Sequence, residues 1–335
     1  MDVQTPPWIN DQSRSLLAQR GHAWLLTGPA GLGQYELALG LVKAWLCEKP
    51  HADGACGQCG SCHAIDVRTH ADLCVLMPET WMLELGWPLS EKAQADLDEK
   101  KRKPSKEIRI DAMRDAVDFS QRTSARGRGK AVLVYPAEDM NAFTANALLK
   151  TLEEPPGEVR FVLASEAAHQ LLPTIRSRCL VHAMVWPDEA LALQWLSTQG
   201  LEPTQAGVAL RACGGRPEAA LHWARSGQDP AHWAEIPRAM ARGDVQAVRD
   251  WTPQQVLGMQ QQLCHDLMAI SVSGAPRFFA AQDLSFQVPL ADLAQWSTTL
   301  LDHRRTMDHP FNAGLFIETL MAQAQRVVAK RNSLT

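Results

Sequence analysis

Residues His22-Ala-Trp-Leu-Leu-Thr27 run directly into Gly28-Pro-Ala-Gly-Leu-Gly33, and these into Gln34-Tyr-Glu-Leu-Ala-Leu-Gly-Leu-Val-Lys-Ala-Trp-Leu46. The first segment is a short apolar run closed by a glycine turn, the pattern of a buried strand. In the third, Leu37, Ala38, Leu41, Val42, Trp45 and Leu46 recur at helical spacing. Strand, glycine-rich loop and helix form the frame of a phosphate-binding loop. There, bare backbone N–H groups and a helix N-terminus face phosphate oxygens. Gly28 and Gly33 keep that frame, but its chemistry is gone. The pattern requires Lys at position 34 and Ser or Thr at 35, and this chain has Gln34 and Tyr35. The Lys would touch the β- and γ-phosphates, and the hydroxyl would hold Mg²⁺. Taken alone, such a stretch also fits an ordinary tight turn.

Directly after this helix comes Cys47-Glu-Lys-Pro-His-Ala-Asp-Gly-Ala-Cys56-Gly-Gln-Cys59-Gly-Ser-Cys62. Four thiols in one short loop, two steps of them spaced CxxC, can surround a tetrahedral ion. Zinc prefers that S4 shell. Gly54, Gly57 and Gly60 allow the backbone angles of such a knuckle. Four thiolates leave no open coordination position, so one structural Zn²⁺ per chain is expected, bound by Cys47, Cys56, Cys59 and Cys62. His63 and His70 flank the cluster as surface or supporting residues. The alternative is a set of free or disulfide-bonded cysteines.

Further along, Asp72 to Met77 reads as a second strand. From Pro78 to Lys106 periodicity fails, and a charged run Asp96 to Lys106 follows Trp81, Trp87 and Pro88. This reads as an inserted surface loop. Its basic part, Lys100 to Lys103, could touch a phosphate backbone, but a solvated mixed-charge linker is the plainer reading. Ile108, Ile110, Met113 and Val117 predict a helix, and Ala131 to Tyr135 a buried strand. A nucleotide hydrolase ends that strand with an Asp-Glu pair; here Tyr135 and Pro136 stand in its place. Glu138 and Asp139 lie too far downstream to replace the pair. Asn146 to Glu154 is an amphipathic helix stopped by Pro155-Pro156. Val159 to Ser165 and Leu180 to Val185 read as strands, with a short turn Pro173 to Cys179 between them.

Strands alternating with helices predict a parallel sheet covered on both faces. After Pro187 the strands cease. Ala190–Ser197, Gln205–Arg211 and Pro217–Arg225 read as three short helices. Val256–Ser271, Leu290–Leu301 and Leu315–Lys330 are the clearest of a longer helical remainder. The expected organisation is therefore an α/β domain over residues 1–186 with the zinc-binding insertion, a small helical domain over 187–227 and an all-α domain over 228–335.

With 335 residues and 46% hydrophobic residues, the chain can bury more than one core. A net charge of -4 provides no global attraction to nucleic acid or anionic membrane, so any DNA contact must be local. Eight cysteines, four of them clustered, fit a reducing compartment. No signal peptide or bilayer-spanning apolar run is visible, and a cytoplasmic location is expected. Eleven Trp stand against two Tyr, without a functional pattern in the sequence.

The run Asn146-Ala-Leu-Leu-Lys-Thr-Leu-Glu-Glu-Pro-Pro156, followed by Ser177-Arg178-Cys179, resembles the bacterial DNA polymerase III clamp-loader subunits of the AAA+ class. The phosphate-loop frame and the four-cysteine knuckle are shared with that group. The resemblance covers the chain in outline and is most specific over residues 22–182. It implies a RecA-like AAA+ domain over 1–186, a lid over 187–227 and a collar over 228–335 that joins neighbouring subunits. It also implies work in a complex that opens a sliding clamp and places it on primer-template DNA, beside gamma/tau and delta subunits. Gln34, Tyr35, Tyr135 and Pro136 match the family's members that keep the ATPase fold without hydrolysing ATP. The gamma/tau-type motor is the alternative. A nucleotide-sensing Arg of such motors would lie near Gly214-Gly-Arg-Pro-Glu218, where this chain places Glu218 with Arg216 close by. Arg178 matches the Arg that the family extends into a neighbour's ATP site as an arginine finger. From the residues alone, a surface ion pair would explain Arg178 as well, and Arg176 is the residue most easily confused with it. A third reading, a free-standing zinc-knuckle DNA-binding protein, would need a basic, aromatic-studded face.

Overall fold

A computed structural model describes residues 6–307 and 312–329. The chain divides into two compact units, Met1–Pro187 and Asp188–Thr335.

The first unit begins with α1 (Pro7–Leu17), β1 (Ala23–Thr27), α2 (Gln34–Leu46), α3 (Gly60–Asp66) and β2 (Leu73–Leu76). Next come α4 (Glu79–Glu84), α5 (Glu91–Asp98), α6 (Ile110–Gln121), β3 (Lys130–Val134) and α7 (Ala142–Glu153). It ends with β4 (Val159–Ser165), α8 (Pro173–Arg176) and β5 (Leu180–Ala183). The strands form one five-stranded sheet, ordered β2-β3-β4-β1-β5, in which every pairing is parallel.

Alternation along the strands explains the two covered faces. Ala23, Leu25, Val132, Val134, Phe161 and Leu163 join one core with Met113, Ala116, Leu148 and Leu152 of α6 and α7. The opposite face carries Trp24, Leu26, Leu133, Val162 and Ala164, all buried. There α2 packs against β1, β3 and β4, and Trp24 meets Trp45 of α2 at 4.9 Å between ring centroids. Each fully buried large apolar side chain contributes about 1.5–3 kcal/mol, which is why these strands read as continuous apolar runs. Strand order reverses beside β1, and the loop after β1 therefore opens at the carboxyl edge of the sheet. In such folds ligands bind there.

The insertion differs from the loop that its broken periodicity predicts. It folds into α4 and α5, and Trp87 between them is buried. Glu79 anchors it. Its carboxylate is bidentate with Arg102 (2.8 Å for Nη2–Oε1) and accepts from the Ser105 amide at 2.8 Å. Arg102 also reaches Asp96, so the middle of the basic run is turned inward, while Lys100, Lys101 and Lys103 are exposed.

The second unit is helical: α9 (Glu189–Thr198), α10 (Pro203–Ala212), α11 (Pro217–Arg225), α12 (Pro230–Arg242), α13 (Pro253–Ser271), α14 (Leu290–Arg305) and α15 (Ala313–Val328). Lys330, the expected end of the last helix, lies outside the described residues. Trp233, Ile236, Met240, Leu263, Phe279, Leu293, Trp296, Leu300 and Leu320 share one core. Buried Asp266 gathers the 277–279 loop by accepting the amides of Arg277, Phe278 and Phe279, each at 2.8 Å. Among the described residues, no helix is long and apolar enough to cross a membrane.

Candidate functional site

The loop after β1 has the backbone of a phosphate site. Gly33 caps α2 at φ 91°, a left-handed conformation that favours glycine. Gly28 sits so close to Met184 that a Cβ there would meet its Cβ at 2.9 Å. The side chains have a different use. Gln34, 2% exposed, points into the loop and donates from Nε2 to the carbonyls of Gly28 (2.8 Å) and Pro29 (2.9 Å). It braces the turn from within.

Positions 35 and 135 are where a hydrolase of this frame supplies its Mg²⁺ ligands. Here they meet through aromatic rings. Tyr35 and Tyr135 have centroids 5.4 Å apart, and Trp81 packs edge-on against Tyr135 at 5.4 Å. Trp87 donates from Nε1 to the Tyr35 hydroxyl at 2.8 Å, and the Arg68 guanidinium lies 4.4 Å from the Trp87 ring centroid. The Tyr135 hydroxyl donates to Glu166 at 2.8 Å. Burial pushes the Tyr35 phenol above its usual value, so it stays neutral. Four aromatic side chains, two of them from the insertion, thus occupy the end of the phosphate-loop helix. Sequence reasoning missed Trp81 and Trp87. Two tryptophans in an aperiodic insertion were the available signal.

Glu138 and Asp139 follow β3 in a single 3₁₀ turn. Glu138 accepts the Glu166 amide at 2.9 Å, which commits one of its oxygens to the backbone. Burial, together with Glu138, Glu166 and Glu107, raises Asp139 to about 6.

The four thiols come together as expected. The Sγ atoms of Cys47, Cys56, Cys59 and Cys62 all lie within 4.8 Å of one another. Cys47 and Cys59 are 3.8 Å apart, Cys56 and Cys62 3.9 Å. An S4 tetrahedron with bonds of about 2.3 Å has edges of about 3.8 Å, so the set fits zinc. The amides of Lys49 and Cys56 donate to Cys47 Sγ, and that of Cys62 to Cys59 Sγ. Burial opposes a charge on Cys59, yet amide donors outweigh it and bring that thiol down to about 6. Burial instead pushes Cys62 up to about 12. Four sulfurs this close cannot all ionise unaided, and a central divalent cation removes their repulsion. Gly54 and Gly57 take positive φ in the loop. Glu48 ties the knuckle down, accepting from the Ser61 amide (3.0 Å) and from Arg126 (3.1 Å). His63 is exposed, and His70 is buried with Nδ1 accepting the Asp72 amide.

Arg178 follows α8. Its Nη2 pairs with Glu153 at the end of α7, and its Nη1 donates to the Thr174 carbonyl at 2.9 Å. Arg176 is exposed. In the second unit Arg216 caps α11 and donates from Nε to the Cys213 carbonyl at 2.7 Å.

With this geometry in place, likeness to known proteins is informative. A family model described as DNA polymerase III, delta subunit, matches residues 9–185. The DNA polymerase III subunit delta' of Pseudomonas aeruginosa is 33% identical over 329 residues, covering 91% of this chain and 92% of that protein. The chain belongs to the delta-prime family of DNA polymerase III clamp-loader subunits. The Escherichia coli delta-prime subunit is 34% identical over 221 residues, 64% of this chain and 59% of that protein. Kinship to the tau subunit is narrower: that of Escherichia coli is 33% identical over 159 residues, 48% of this chain and 21% of that protein. In this delta-prime chain, therefore, a clamp-loader frame carries an aromatic cluster where its phosphate loop ends.

Proposed function

We propose that this delta-prime subunit is a non-hydrolysing stator of the replicative clamp loader. One observation carries the reading: Tyr35 and Tyr135, at the two positions that would ligate Mg²⁺, pack ring against ring, tilted by 35° with centroids 5.4 Å apart. Rings in that space leave no room for the metal, and without it the charge of a transferring phosphoryl group is not neutralised. The gamma/tau-type motor reading would need those side chains to be a hydroxyl and a carboxylate.

On this reading the chain works with gamma/tau and delta subunits in the cytoplasm, where the complex opens the sliding clamp and places it on primer-template DNA. Residues 187–227 act as a lid, and residues 228–335 as a collar that joins the other subunits. Cys47, Cys56, Cys59 and Cys62 hold one structural Zn²⁺, which fixes the knuckle loop and takes no part in catalysis. Arg178 acts in trans. Its planar guanidinium reaches a neighbour's ATP and neutralises charge on the γ-phosphoryl group as that group transfers.

Two measurements test this. Calorimetric titration of the isolated chain with ATP–Mg²⁺, with phosphate release followed in parallel, should give neither binding nor turnover. Turnover by uncontaminated protein would favour the motor. In a reconstituted loader, Arg178→Ala should slow ATP turnover at the adjacent site by about tenfold or more. Normal turnover there removes Arg178 from the site.

A further inference from the structure

Arg178 is not extended. Its Nη2 is paired with the Glu153 carboxylate and its Nη1 with the Thr174 carbonyl. Its Nε–H is buried without a hydrogen-bond partner. A guanidinium folded back in this way has its charge already met by a carboxylate of its own subunit. The orphaned Nε is what the inward pose costs, since a buried donor normally finds an acceptor. The anchor itself is weak, because Glu153 is half exposed and Arg178 is 28% exposed. Such pairs are readily exchanged. Both ends of the pair lie at element termini, Glu153 closing α7 and Arg178 following α8.

We infer that Glu153 is a latch that holds Arg178 back until a stronger anion is offered. The anion is the triphosphate of a nucleotide in a neighbouring subunit, which presents several charged oxygens to the same Nη2–H and Nη1–H donors. Arrival of that triphosphate displaces Glu153, swings the guanidinium outward and relieves the orphaned Nε. Only the outward fraction of Arg178 is competent, so the latch weakens apparent nucleotide affinity at the neighbouring site without changing the chemical step. The inference rests on the trans role proposed for Arg178.

The test uses the reconstituted clamp loader and compares wild type, Glu153→Gln, Arg178→Ala and the double variant, with ATP turnover measured across nucleotide concentrations. Glu153→Gln keeps the size of the side chain and removes its charge. It should lower KM for ATP about two- to fivefold, the range that a half-exposed ion pair supplies, and leave kcat unchanged. The double variant should match Arg178→Ala alone. An unchanged KM in Glu153→Gln, with Arg178→Ala still slow, removes the latch and leaves the finger standing. A fall in kcat in Glu153→Gln would mean that Glu153 positions Arg178 productively, which also overturns the latch. Full turnover in Arg178→Ala removes the finger and the latch together. Thermal melting of the isolated Glu153→Gln chain should coincide with wild type, because Glu153 is half exposed and its pair is weak; a large drop would point to a structural role instead.

Discussion

Trp87 donates its indole N–H to the Tyr35 hydroxyl over 2.8 Å, so the 78–106 insertion closes directly onto the second residue of the phosphate-loop helix. One ring contact, Trp81 against Tyr135, one cation–π contact, Arg68 over Trp87, and one hydrogen bond hold the closure. Trp87→Phe should cost about 1 kcal/mol, the worth of the hydrogen bond, and Trp87→Ala about 3 kcal/mol, because a buried indole is lost as well. Urea denaturation of the two variants checks the difference. Equal small losses would show that Trp87 does not seal the site.

Metal analysis after purification without added zinc should give one Zn²⁺ per chain. Chelation, or Cys59→Ser, should lower the melting temperature by at least about 5 °C, equivalent to about 2 kcal/mol for a unit of this size. An empty site with an unchanged melting temperature overturns the structural role.

Asp139 provides a stability signal with a definite sign. Its folded value is raised to about 6, above the ordinary carboxylate value of about 3.9. Its contribution is therefore favourable in full below about pH 4 and is lost as pH rises through 6. Asp139→Asn should stabilise the protein by about 1–2 kcal/mol at pH 7.5 and have little effect at pH 4. Denaturant melts at the two pH values decide it, and equal effects at both would contradict the assignment.

Asp72 has the opposite sign. Burial works to raise it, but the amides of Ala125 (2.7 Å) and Arg126 (2.9 Å), the Ser124 hydroxyl (3.0 Å) and Lys130 together hold it below its usual value. Its contribution is present above about pH 4 and lost as pH falls through the depressed value. Asp72→Asn should cost about 3 kcal/mol at pH 7, since Lys130 is then buried without its partner, and less in acid, once the pH falls through the depressed value. Urea melts across that range measure the convergence.

Much of this was legible in the residues. The glycine loop, the CxxC steps and the apolar strands have local causes, and each of those segments folds as its pattern dictates. Boundaries moved where capping intervened. The helix read from Asn146 begins at Ala142, because Asn141 accepts the Thr144 amide, a signal that the Asn itself carried. The helix Pro230–Arg242 escaped individual notice because Pro237 lies inside it and reads as a breaker. The aromatic cluster was out of reach. Tyr35 and Trp87 are 52 positions apart, and no periodicity ties an insertion to a distant helix end. For Arg178 the two readings were a surface pair or a reach across a boundary. In this chain Arg178 is paired with Glu153, and that pair is what any outward movement must break.

The helix α2 is gripped at both extremities. At its start Gln34 is bonded into the preceding loop and Tyr35 is wedged among rings; at its finish Cys47 is both the capping residue and one of the four clustered sulfurs. Between these grips it lies along three strands. A rod fixed at each end and along its length has little freedom to slide or bend, so a single rigid element sets the distance between the knuckle and the loop at the carboxyl edge of the sheet.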